Sequence, residues 1–304
     1  MGNVVLRPTR IPSRNPQGGE KPIRHRKKRG KSFLRGIIVV IGAMALTTAA
    51  IKANDVFNIP RDGMIGGVGA SVKESRCIPG MVYVSDSGGG FCIDAFEASA
   101  GKLCPNQSPT NQFETTSNLA QPLCTPVSVK DAAPWVNIPQ SQAMELCARA
   151  GKHLAKNSEW YRASLGTPDG TIDGNSCVLA RVGASAAEKT GTHELCVSSA
   201  GAYDMVGNIW EWVDATVIDG KYGGRTLPSE GYIAEADTDG VPVATAQNGD
   251  QVFHNDYFYI DASGVKGMFR GGFWNMTDKA GVNAINAASP SNFIGSAVGF
   301  RCAR

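Results

Sequence analysis

An irregular α+β domain, rich in loops and preceded by a membrane-directed segment, is the fold class this sequence predicts, on three observations. A 42% hydrophobic composition over 304 residues supplies enough apolar surface for a packed core, which excludes a disordered chain. Short apolar runs punctuated by turn residues, among them 36 glycines and 16 prolines, read as brief strands with many turns. Helical periodicity is confined to two stretches, Ser141 to Ala150 and Ser158 to Leu165.

The formal charge of +3 conceals two populations. Residues 1–35 hold 11 Lys and Arg against one acid, Glu20, and are densest at Arg24 to Arg29; the remainder holds 19 basic and 26 acidic residues, a balance of −7. The body therefore lacks the clustered cations that phosphate binding needs, and nucleic acid is not an expected partner. Gly36 to Ile51 is an uncharged run of sixteen residues bounded by Arg35 and Lys52. That is shorter than the about 20 residues of a spanning helix and longer than the about 7–15 of a signal-peptide core. The chain divides into a basic cytoplasmic tail (1–35), a transmembrane anchor or signal segment (36–52), a linker (53–75) and a domain (76–304). Positive charge ahead of the span keeps the tail in the cytoplasm. The long preceding region favours an uncleaved anchor with an extracytoplasmic domain, secretion after cleavage being the alternative.

Within the domain, Met81 to Val84 (MVYV) and Phe91 to Asp94 (FCID) are joined by Ser-Asp-Ser-Gly-Gly-Gly and predict a hairpin. Ala100 to Pro126 reads as a polar loop bracketed by Cys104 and Cys124. In the first helix Ala143, Leu146, Cys147 and Ala150 share one stripe, and Gly151 stands where a left-handed residue is wanted. Cys147 thus faces the core. The second helix ends at Gly166, and 138 residues of short β-like runs follow, with Asp219 to Gly240 read as a surface excursion. Eight cysteines all lie beyond the uncharged run, an even number suited to disulfides in an oxidising compartment. No CxxC pair occurs and the four histidines are scattered, so zinc and iron–sulfur sites lack their spacing. A G-x-S-x-G turn is also absent, which leaves hydrolysis unsupported.

Residues 201–213 read Gly-Ala-Tyr-Asp-Met-Val-Gly-Asn-Ile-Trp-Glu-Trp-Val. Together with GMVYV…FCIDAFEAS at 80–99, PWVNIPQSQAMELCARAGKHLAKNSEW at 134–160, RGGFW at 270–274 and GFRCAR at 299–304, they resemble the formylglycine-generating enzyme (sulfatase-modifying factor) family over most of 76–304. The resemblance implies a C-type-lectin-like fold with little regular secondary structure. It also implies a copper site of two cysteines, which family enzymes place just after Arg/Lys-Gly-Gly and use to oxidise a substrate cysteine. Here Met276 and Gly281 stand at those two positions, and Phe273 replaces the serine that follows Gly-Gly. A thioether and a glycine cannot replace two thiolates on copper, so copper is not expected and no catalytic residue is assigned. Trp210 and Trp212 match the family and read as core. Glu97 and Glu159 match as well and read as loop anchors.

Asp204 and Glu211 fall where family enzymes have calcium ligands, completed by the carbonyls of Gly207 and Ile209. Hard oxygens at a Gly-Asn turn suit Ca²⁺, the expected cofactor; the alternative is that both carboxylates cap turns or pair with Arg. The second family calcium site finds only Asn175 as a match and is not assigned. C-type-lectin-like domains commonly bridge the first helix to the last strand, which implies Cys147–Cys302. Sequence neighbours suggest Cys77–Cys92, Cys104–Cys124 and Cys177–Cys196, among the roughly one hundred pairings eight cysteines permit.

Between Phe273 and Val298 the chain is rich in Asn, Ser, Ala and Gly, with isolated Trp274, Met276 and Phe293. That mixture of adaptable amides and anchoring side chains is the composition of a binding surface. Its place before Gly-Phe-Arg-Cys-Ala-Arg resembles the variable region of retroelement-diversified proteins, which alter mainly asparagine codons. The expected contact surface is Trp274, Asn275, Met276, Thr277, Asp278, Asn283, Asn286, Ser291, Asn292 and Phe293, facing a protein or glycan ligand. The expected function is a membrane-anchored extracytoplasmic binding domain. The rivals are a divergent oxidoreductase acting on protein thiols beside Trp210, a structural envelope component, and a terminus that merely closes the fold.

Overall fold

The computed structural model of the chain describes residues 76–86, 88–169, 176–180 and 184–304. The tail, the 36–52 segment, the linker and Asn175 lie outside the described residues. Among the described residues no helix is long and apolar enough to cross a membrane.

Among the described residues, two larger sheets, one two-stranded ladder and three short α-helices build the domain. In the smaller sheet, β1 (Met81–Val84) pairs antiparallel with β2 (Phe91–Asp94), Met81 opposite Asp94, which is the expected hairpin. The last strand, β15 (Cys302–Ala303), inserts between β2 and β5 (His153–Leu154). Cys92 and Arg304 exchange N–H···O bonds of 2.9 and 2.8 Å, so the carboxyl terminus is sewn to the first hairpin. β3 (Ala98–Ala100) and β4 (Pro126–Ser128) form a separate two-stranded ladder.

The larger sheet centres on β6 (Trp210–Ile218), the continuation of the 201–213 motif. Along it run β7 (Lys221–Tyr222), β8 (Arg225–Thr226), β9 (Gly231–Ala236), β10 (Pro242–Ala246), β11 (Tyr257–Ile260), β12 (Val265–Arg270) and β13 (Ile285–Ala287). Their order is β10-β9-β11-β13-β12-β6-β7-β8, and β14 (Val298–Phe300) adds in parallel to β6 with Val298 opposite Trp210. The β6–β12 ladder slips register between Gly267 and Met268. Beside that irregularity, the buried Gln140 amide donates to the carbonyls of Val213 (2.7 Å) and Ala215 (2.9 Å), satisfying groups a buried bulge would strand.

The helices are α1 (Gln112–Leu119), α2 (Gln140–Arg149) and α3 (Asn157–Ser164). In α2, Ala143, Leu146 and Cys147 are buried as their spacing requires, and Gly151 is left-handed (φ 69°). α1 corrects the expected polar loop at Ala100 to Pro126. Asn111 caps it by accepting the Glu114 N–H at 3.0 Å, while the Glu114 carboxylate accepts the Thr110 N–H at 2.6 Å. Its inward residues are Thr115 and Asn118 and its one aromatic, Phe113, faces solvent, so no apolar period marks it. A second correction concerns Asp219 to Gly240. It carries β7, β8 and β9, with Leu227 and Ile233 in the core, because the sheet reaches over it.

All eight cysteines are bridged as Cys77–Cys92, Cys104–Cys124, Cys147–Cys302 and Cys177–Cys196. Cys147–Cys302 spans 155 residues and fastens α2 to β15. Replacing both cysteines by Ser is expected to cost about 4–5 kcal/mol in equilibrium guanidinium unfolding, and a loss under about 1 kcal/mol would refute a cross-link of that span.

Candidate functional site

The 201–213 motif is a turn held from inside. Asp204 (φ 57°), Gly207 (φ 79°) and Asn208 (φ 51°) are all left-handed, which Asp, Gly and Asn tolerate better than other residues. A Cβ on Gly207 would overlap the Val178 carbonyl oxygen, so glycine is required there twice over. Asn208 donates to Glu97 Oε2 at 2.7 Å and accepts the Glu188 N–H at 2.8 Å. The same turn reaches the C-terminal segment, since Gly207 N–H donates to Gly271 O at 3.1 Å and Trp274 N–H to Asn208 O at 3.0 Å.

Beneath the turn lies a buried ion pair. Arg301 Nε and Nη2 each donate to a Glu211 oxygen at 2.6 Å, Nη1 donates to Asp94 O at 3.0 Å, and Nη2 also to Tyr203 O at 2.8 Å. Trp160 Nε1 completes the Glu211 carboxylate at 2.7 Å. Removing one partner would leave a buried charge uncompensated, a cost of about 3–5 kcal/mol. This arrangement bears on the calcium expected from Asp204, Gly207, Ile209 and Glu211. Both Glu211 oxygens are engaged and Arg301 already supplies the positive charge. Asp204 gives one oxygen to the Gly191 N–H (2.6 Å) and keeps only Oδ1 without a hydrogen-bond partner. Such a donor set does not fit an ion that wants 6–8 oxygens.

Above the turn an open cavity of about 280 Å³ is walled by Trp210, Phe269, Phe273, Phe293 and Val298, with Asn286, Ser289 and Ser296 as its polar lining. Its floor is an aromatic series. Trp210 meets Tyr259 and Phe269 edge to face (6.4 and 5.3 Å), Trp212 meets Phe269 (4.8 Å), and Phe269 stacks on Phe293 (6.3 Å). The parallel β6–β14 pairing creates the site, because it sets Trp210 beside Val298 and turns the 289–297 loop over both. Burial pushes the hydroxyl of Tyr259, which packs on Trp210, up to about 12.

Of the ten expected contact residues, the cavity brings together Asn286 and Phe293. Asn275, Thr277, Asp278 and Asn292 are exposed, and Trp274 and Ser291 half-buried, but none of the six lines it. Two are corrected. Met276 is buried in the main core, because the backbone turns inward between exposed Asn275 and Thr277. Asn283 is buried because its N–H is drawn to the Asp256 carboxylate at 2.7 Å. Sequence reasoning missed Phe269, Ser289 and Ser296. The alternation of β12 makes Phe269 a core residue, and nothing in its spacing says that it also floors a cavity.

Glu97 Oε1 and Asp204 Oδ1 are both buried without hydrogen-bond partners. Burial, together with the charges of Asp204 and Glu211, pushes the Glu97 carboxyl well above the usual carboxylate range, and burial pushes Asp204 up to about 6. Acids raised in this way bind protons more tightly folded than unfolded. Their contribution to stability is intact below about pH 4 and lost as pH rises through the folded-state values. Glu97→Gln, uncharged at every pH, should therefore gain on the native chain between about pH 4.5 and 7.5 in denaturant midpoint. An equal offset at both pH values would refute the protonated Glu97.

A model of the sulfatase-modifying factor enzyme 1-like domain family matches residues 90–304. Among solved structures the chain is similar to the Major Tropism Determinant P3c variant, at 15% identity over 76% of this chain and 53% of that one, with a TM-score of 0.41. PvdO from Pseudomonas aeruginosa is similar at 15% identity over 74% of this chain and 90% of that one (TM-score 0.38). Treponema denticola variable protein 1 is similar at 15% identity over 74% and 99% (TM-score 0.40). The chain spans about half the length of the Major Tropism Determinant chains it matches. No curated protein sequence matches it. With the family match covering most of the chain and the 201–213, 270–274 and 299–304 motifs gathered around one site, this chain belongs to the sulfatase-modifying factor enzyme 1-like family.

Proposed function

We propose that this protein is a membrane-anchored, extracytoplasmic binding domain that captures a protein or glycan ligand on the surface of its 273–298 segment and performs no copper chemistry. The observation that carries this reading is the open aromatic cavity, whose walls come from 273–298 apart from Trp210 and Phe269. Large rigid rings supply contact area at low entropic cost, and the Asn and Ser side chains at the rim supply hydrogen bonds that adapt to different partners. Every cysteine is spent on a disulfide, so no thiolate remains to hold copper(I), and the two family cysteine positions are a core Met276 and a buried Gly281. The retroelement-type variable region would fall on this same segment, where substitutions alter the ligand without disturbing Arg270 or Arg301 beneath.

Two measurements test the reading. Sequencing this gene across a natural population should find variation concentrated in codons 274–298, at adenine positions, with Arg270-Gly-Gly and Gly299-Phe-Arg-Cys unchanged; a uniform segment removes the diversification. On glycan and protein arrays, the full chain should select a ligand that Phe293→Ala binds about thirtyfold more weakly, about 2 kcal/mol, with Tm lowered by no more than a few degrees for the lost Phe269 stack. Phe293 is 38% exposed, so its loss opens no core cavity. Stoichiometric Cu(I) binding with oxygen consumption on a cysteine peptide would overturn the reading in favour of a thiol oxidase.

A further inference from the structure

We propose that Asp169, Asp256 and Asn283 form a binding site for a hard divalent cation of the calcium type, beside Gly281. The proposal is independent of the ligand cavity and of the Asp204–Glu211 turn, whose donor set is occupied by Arg301 and Trp160. Asp256 is fully buried, and its Oδ2 accepts the Asn283 N–H at 2.7 Å; Asp169 Oδ2 accepts the neighbouring Val282 N–H at 2.8 Å. The two carboxylates thus grip consecutive peptide groups, and their other oxygens turn to one place. A Cβ on Gly281 would overlap Asp256 Oδ1 and lie 2.6 Å from Asp169 Oδ1. Gly281 does not have a positive φ, so the backbone does not demand glycine here. The approach of the two carboxylates does.

The convergence leaves hydrogen-bonding capacity unfilled. Asp256 Oδ1 and Asn283 Oδ1 are buried with no hydrogen-bond partner, and Asn283 is only 9% exposed with its side-chain amide against the Asp256 carboxyl. Among the described residues no Lys, Arg or His forms an ion pair with Asp256. Arg270, the cation it feels, donates instead to Asn157 Oδ1 and to the carbonyls of Val282, Asp239 and Gly240. Two buried carboxylates of like charge raise one another's affinity for a proton or a cation. Burial and the Asp169 charge accordingly push Asp256 well above the usual carboxylate range. A divalent ion would neutralise the Asp256 carboxyl while touching Asp169, and rotation of the Asn283 amide would present its oxygen as a further donor. All three donors are oxygens, which selects a hard cation over copper or zinc. Bound there, the ion would brace Gly281–Ala284, the segment that leads into β13 and the polar edge of the cavity.

The full-length protein, stripped with EDTA, should be titrated with Ca²⁺ alone by calorimetry and melted with Ca²⁺, Mg²⁺ or EDTA. About one Ca²⁺ should bind per chain and raise Tm more than Mg²⁺ does. Asp256→Asn should lose both effects while Asp204→Asn keeps them. If Asp256→Asn does not fold, Asn283→Ala serves in its place and should bind Ca²⁺ at least about tenfold more weakly. No Ca²⁺ binding by the native chain, or binding that these variants retain while Asp204→Asn loses it, overturns the proposal. The first of those results leaves Asp169 and Asp256 as a proton-sharing pair that clamps the loop, and neither touches the case for a ligand at Phe293.

Discussion

Arg301 and Glu211 meet where no water reaches, and four separate parts of the chain converge on their contact. Glu211 comes from β6 and Arg301 from the residue between β14 and β15; Asp94 and Tyr203 lend carbonyls, and Trp160 of α3 closes the shell. A buried bidentate pair tolerates little displacement, because any lost hydrogen bond exposes a charge to a low-dielectric interior. The small sheet, the large sheet and α3 are therefore fixed to one another at a single point. The disulfide one residue later, Cys147–Cys302, adds a covalent tie to α2. β15 is thus tied on both sides by β2 and β5 and covalently by Cys302.

That anchoring also supports the 273–298 segment above it. β14 pairs in parallel with β6, which sets Trp210 against Val298, and Arg301 pins the chain just beyond it. The loop from Ser289 to Ala297 is held at both ends and also between them, where Gln140 N–H donates to Ser291 O and Asn137 N–H to Gly295 O, so the cavity mouth is shaped by an ordered loop. Arg270 does the same at the other end of the segment. Its guanidinium is fully buried, pressed between the rings of Trp160 and Tyr161, and satisfied by neutral oxygens on α3, the 239–240 turn and Val282.

Two pairs of buried acids recur in this plan with different surroundings. Glu97 and Asp204 lie in the field of Arg301 and hold Asn208 and Gly191. Asp169 and Asp256 hold Val282 and Asn283, and Asp256 feels Arg270 without a hydrogen bond to it. Each of these acids gives one oxygen to an N–H of a neighbouring loop, so the loops near the site are ordered by buried carboxyls.

The Cys147–Cys302 bridge was implied by the family resemblance and the three sequential pairs by chain order; the sequence's own spacing determined the sheet-rich α+β class, the first hairpin, α2 and α3 to within a residue, and the 201–213 motif. Each of these is written in local spacing: two-residue alternation in MVYV and FCID, a helical stripe through Cys147, glycine where φ must be positive. Local spacing was silent on α1, whose buried face is Thr115 and Asn118, and misleading on Asp219 to Gly240, whose strands are short and polar at the edges. It also placed Met276 and Asn283 on a surface from composition alone. Which side of a loop faces inward depends on what lies opposite, and for these residues that is the core under Gly272 and the Asp256 carboxylate. The cavity, the Arg301–Glu211 pair and the Asp169–Asp256 convergence join residues some 30 to 110 positions apart. Such meetings are decided by the strand order, in which β14 returns to β6 and β15 to β2, and only the folded chain contains it.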